Sequence, residues 1–103
     1  MEIHEQISEH IMTSAALTNI DQDYDQATID SVLAFVGSCD SVAGIVAGID
    51  HLSLGQLEVL GELASDVISV FDAMEEGGEE VDPELREAAQ LIANPALGKQ
   101  WGF

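Results

Sequence analysis

Hydrophobic residues recur along this chain at spacings of three and four, and alternate at a spacing of two only over a few residues. Spacings of three and four form the apolar stripe of an amphipathic helix, so the pattern predicts an all-α protein. Ile3, Ile7, Ile11 and Ser14/Ala15 mark one face of a first helix, with Glu2, Glu5 and Glu9 mostly elsewhere on its surface. Thr18 to Tyr24 reads as a polar connection. Ile29, Val32, Leu33 and Val36 place a second helix from about Asp25 to Ser38. Val42, Ile45, Val46 and Ile49 repeat the template in a short, buried third helix, with Asp40 or Ser41 as its N-cap. Gly44 and Gly48 within it each cost about 1 kcal/mol relative to alanine, and would let a neighbouring backbone come close.

Ser53 followed by Gln56 is a capping box that opens the longest helix, from about Leu54 to Glu76. Its apolar positions (Leu54, Leu57, Leu60, Leu63, Ala64, Val67, Ile68, Val70, Phe71 and Met74) cover well over half its circumference. Such a helix must be enclosed, either as the centre of a bundle or in a homodimer interface. The polar stripe left over is narrow: Glu58, Glu62, Ser65/Asp66, Ser69, Asp72/Ala73 and Glu76. Gly77-Gly78 ends the helix as a C′ glycine does.

Asp82-Pro83 pairs an N-cap with proline at the first helical position, and Leu85, Ala88, Ala89 and Ile92 supply a fifth helix that Asn94-Pro95 stops. The tail from Ala96 to Phe103 carries Leu97, Lys99, Trp101 and Phe103 and reads as a loosely packed turn folding back. Glu75 to Asp82 reads as a mobile loop. No internal repeat or domain boundary interrupts the chain. The expectation is one domain over residues 1–103: a compact bundle of about five helices with one long central helix.

Charge changes this picture more than composition does. Twenty acidic residues face one lysine, Lys99, and one arginine, Arg86, for a net charge of -18. The apolar fraction of 47 % is that of a folded protein, too high for an acidic disordered tail. An ordinary interior is thus combined with an extreme surface. Two cations cannot neutralise a phosphate backbone, which excludes direct nucleic-acid binding, and anionic membranes repel the chain for the same reason. No apolar run approaches a membrane span, and the start Met1-Glu-Ile-His-Glu lacks the basic residues of a secretory signal. The single cysteine, Cys39, forms no internal disulfide and fits a reducing, cytoplasmic setting.

Candidate chemistry is sparse. His4, His10 and His51 do not share metal-ligand spacing, and Cys39 has no partner at such spacing. Asp21-Gln22-Asp23-Tyr24-Asp25 alternates acids as a calcium loop does. Its sixth and twelfth positions, however, are Gln26 and Val32 in place of glycine and glutamate, so a solvated, helix-capping turn accounts for it better. Ser53 beside His51 is the one local nucleophile–base pairing, and the cap explains Ser53 better. His51-Leu-Ser53-Leu, followed by a helix and an acidic surface, resembles the stretch of acyl carrier proteins in which an Asp-Ser-Leu motif opens the second helix. That resemblance covers a few residues and implies phosphopantetheine on Ser53, but Leu52 stands where the family has aspartate. The expectation is no enzyme, no cofactor and no metal.

What remains is the acidity itself. Carboxylates one helical turn apart lie about 5–6 Å from one another, close to the separation of successive phosphates along a strand. Glu58, Glu62, Asp66, Asp72, Glu75, Glu76, Glu79 and Glu80 are the residues expected to meet a partner, a basic nucleic-acid-binding protein or complex. In size and charge the chain is similar to the small acidic DNA mimics of phages and mobile elements. That likeness implies an anti-CRISPR or anti-restriction inhibitor in the host cytoplasm. Two alternatives stand beside it. One is an acidic protein–protein module, such as a phage assembly factor or antitoxin-like partner, docking through Leu54, Leu63, Val70 and Met74 or through the tail. The other is a small helical protein adapted to high salt.

Overall fold

Three serine and aspartate caps set where helices begin. The computed structural model describes residues 2–17, 22 and 24–100, with side chains as far as Asn94. Its helices are α1 (Ile3–Leu17), α2 (Gln26–Ser38), α3 (Val42–Gly48), α4 (Leu54–Glu76) and α5 (Pro83–Gln100), and α3 runs on into a 3-10 turn at Ile49–His51. The protein is all-α, and α4 is its long central helix, as the periodicity predicts. The connection predicted over Thr18 to Tyr24 falls mostly outside the described residues.

Ser41, not Asp40, caps α3, its hydroxyl accepting from the Gly44 N–H at 3.0 Å. The capping box at α4 is formed. The Ser53 hydroxyl accepts from the Gln56 N–H at 3.3 Å, and the Gln56 Oε1 accepts from the Ser53 N–H at 2.9 Å. Gln56 Nε2 also donates to the Ser31 hydroxyl at 3.0 Å, tying the start of α4 to α2. Asp82 caps α5 by accepting from the Glu84 N–H at 2.9 Å. At the far end of α4, Gly78 has φ 90°, and the N–H groups of Gly78 and Glu79 donate back to Glu75 and Met74. This is a Schellman ending, which needs the left-handed conformation glycine adopts without strain.

α4 packs against α5, α2 and α1. Its Leu57, Leu60, Leu63, Ala64, Val67 and Phe71 join Ile7 and Ile11 of α1, Ile29, Val32 and Val36 of α2, Ile45 and Ile49, and Leu85, Ala89 and Ile92 of α5 in one buried cluster. The enclosure is less complete than predicted, because Leu54 is 58 % exposed and Val70 48 %. Val59, outside the predicted stripe, is fully buried. Val59 and Val70 point within about 20° of each other around the helix axis. That side of α4 is therefore sealed near its beginning and open further along, a difference in neighbours that periodicity along α4 does not encode.

Two further expectations are corrected. Asn94-Pro95 does not stop α5, and the segment Ala96–Gln100 is helix rather than a returning turn. Pro95 has no N–H to offer the Leu91 carbonyl, and Leu91 is exposed, a position where solvent can reach a carbonyl left without its helical donor. Trp101 and Phe103 lie outside the described residues. The close neighbour of Gly48 is a side chain, not a backbone. A Cβ there would stand 2.4 Å from Cε1 of Phe35. Among the described residues, no helix is long and apolar enough to cross a membrane.

Candidate functional site

The polar stripe of α4 forms a row. At about 100° per residue, Glu58, Glu62, Asp66, Ser69, Asp72 and Glu76 fall within about 120° of arc, and Glu58 to Glu76 spans about 27 Å of axis. Glu62, Asp72 and Glu76 are exposed, whereas Glu58 and Asp66 are half-buried. Burial pushes the Asp66 carboxyl above the usual aspartate range.

Glu75 leaves the row. It sits about 100° around the helix from Glu76, and its carboxylate meets Arg86 of α5. Arg86 Nη1 donates to Asp72 Oδ1 at 2.8 Å, Nε donates to Glu75 Oε1 at 2.8 Å, and Nη2 donates to that same oxygen. Hydrogen bonds to Asp72 and then Glu75 raise the guanidinium above its ordinary value. Among the residues whose side chains are described, Arg86 is the only lysine or arginine; it pairs with two of the eight acids expected to face a partner, and its single charge offsets one of them.

Glu79 and Glu80 lie in the α4–α5 link. With Glu75, Val81, Pro83 and Arg86 they border an open cleft of about 550 Å³. A neighbouring cleft of about 500 Å³ gathers Glu2, Asp40, Asp82 and Glu84 around Ile3, His4 and Val42. The starts of α1, α3 and α5 meet there, and each carries an acid within two residues of its first. Helix N-termini favour negative charge, so fold and acidity agree at this pole. Sequence reasoning missed these four acids as a group, since positions 2, 40 and 82 are joined only by the fold. The signal it had was the reading of Asp40 or Ser41 and of Asp82 as N-caps, made one helix at a time.

The remaining candidates have ordinary roles. The Ser53 hydroxyl is committed to the α4 cap. His4 Nδ1 lies 3.6 Å from the Glu2 carboxylate, and His10 stands edge-on to Phe71 with ring centroids 5.0 Å apart. Cys39 Sγ donates to the Phe35 carbonyl at 3.2 Å, and burial, with Asp40 adding to it, pushes the thiol up, away from a reactive thiolate. Among the described residues, no group of three or more His, Cys, Asp or Glu side chains is placed to hold a metal ion. Asp21 and Asp23 of the calcium-loop-like run lie outside them.

Compared with protein-family models, with curated proteins and with solved structures, the chain shows no match.

Proposed function

We propose that this protein is a non-enzymatic inhibitor that imitates nucleic acid. Its partner is a basic protein or complex whose nucleic-acid groove it occupies. The observation that carries this proposal is the row Glu58, Glu62, Asp66, Asp72 and Glu76, fixed on a helix whose opposite side is locked into the core. A mimic needs charges at set intervals on a scaffold that does not bend away, and a helix anchored along its length supplies both. Inhibition then requires occupancy alone. The field of -18 speeds encounter with a basic surface, and close-packed contacts set how long the complex lasts. A CRISPR effector or restriction enzyme in a host cytoplasm, met by a phage or mobile-element protein, suits that chemistry.

The test is competition. A purified effector is mixed with labelled target duplex in low salt, and the protein is added in excess. Loss of effector–DNA association is expected, and Glu58→Gln, Glu62→Gln and Asp66→Asn combined should remove the effect. Unchanged association across a panel of CRISPR effectors and restriction enzymes ends the proposal.

A further inference from the structure

The groove between α1, α3 and α5 lies apart from the α4 row and has a different character. Ile3, Val42, Ala88 and Leu91 line a slot of about 320 Å³, with Glu84 and Glu87 at its edge. Leu91 is 47 % exposed there, one of five large hydrophobic side chains exposed among the described residues, and it stands beside the apolar Ile3, Val42 and Ala88 rather than alone. The slot shares Ile3, Val42 and Glu84 with the cleft that holds Glu2, Asp40 and Asp82, so an apolar floor passes directly into an acidic wall.

We propose that this groove docks a basic amphipathic segment of a protein partner, with an apolar side chain in the slot and lysines or arginines against the acids. Charge selects this occupant. Among the described residues, the two sets of lining residues contain five acids, one histidine and no lysine or arginine, so the rim is predominantly negative. A second copy of the chain would bring another -18 to that rim and is repelled. Nucleic acid and acidic peptides are excluded likewise. The apolar anchor sets residence time, and the acidic rim sets encounter rate and salt dependence. The proposal does not rest on nucleic-acid mimicry, because none of the acids of the α4 row lines this groove.

Two synthetic helical peptides of equal positive charge provide the probe, one with two leucines at i, i+4 among its lysines and one with serines in their place. Binding is measured at about 0.15 M and about 0.5 M salt, to separate contact from long-range attraction. The leucine peptide is expected to bind at least tenfold more tightly than the serine peptide at both. Leu91→Ser should erase that margin, while Glu58→Gln with Glu62→Gln should leave it unchanged. Methyl NMR of the unaltered protein should show the leucine peptide shifting Ile3, Val42 and Ala88, a readout that does not depend on any variant folding. Equal binding of the two peptides, an undiminished margin in folded Leu91→Ser, or shifts confined to Leu54 and Val70 would overturn the proposal.

Discussion

Asp66 shows what it costs to place charge on a half-buried helix face. Its carboxyl is raised by burial, so the folded protein holds the Asp66 proton more tightly than the unfolded chain does. The sign follows from linkage. Stability from this group is fully present below the unfolded value, about 3.9, and is lost as pH rises through the higher folded value. At neutral pH the ionised carboxylate therefore works against the fold, while adding one charge to the row that a partner would read. Asp66→Asn should melt at or above the temperature of the parent at pH 7, with the difference shrinking toward pH 4. Thermal melts followed by circular dichroism across that range check it. A variant that melts clearly lower at pH 7 would mean that the carboxylate makes a stabilising contact stronger than its desolvation.

At the scale of elements, two glycines near the helix ends of α2 and α3 behave oppositely because of what stands beside them. Gly37 lies exposed in the last turn of α2 with open space around its Cβ position. Gly37→Ala should stabilise by about 0.5–1 kcal/mol through helix propensity alone. Gly48→Ala would gain as much in α3, but its Cβ would meet two ring carbons of Phe35 at 2.4 and 2.6 Å. Forced overpacking costs about 1–3 kcal/mol, so Gly48→Ala should be destabilising on balance, and Phe35→Leu in the same chain should relieve it. Urea midpoints of the two single variants and the double variant test this, and a stabilised Gly48→Ala would show that the ring moves aside freely. The same pair marks the limit of what sequence conveys. Helix positions and the Ser53 and Asp82 caps are local facts, written within four residues of one another. The Gly48–Phe35 contact, the sealing of Val59 and the exposure of Val70 depend on which helix lies alongside, and periodicity along one helix is silent on that.

For the molecule as a whole, the amount of charge is plain from the sequence, but its placement is not. Glu75 belongs to the acidic run by position yet turns to Arg86, and Glu2, Asp40 and Asp82 meet only because three helix starts share one pole. Placement also bears on whether the acidity serves a partner or a saline solvent. The apolar residues of all five helices close into a single cluster within a radius of gyration of 12.8 Å, and that burial opposes the self-repulsion of the surface. Carboxylates one turn apart are about 5–6 Å from each other, and the screening length falls from about 10 Å at 0.1 M salt to about 4 Å at 0.5 M. Most of the repulsion is therefore screened by about 0.5 M. The protein is expected to be folded and cooperative in dilute buffer, with a melting temperature that climbs with added salt and levels off near that concentration. Binding to a basic partner should weaken over the same interval, because the screening that relieves the fold also removes the attraction. A chain that is unfolded in dilute buffer and folds only in molar potassium chloride would assign the acids to solvent, and the row on α4 would then have no partner to explain.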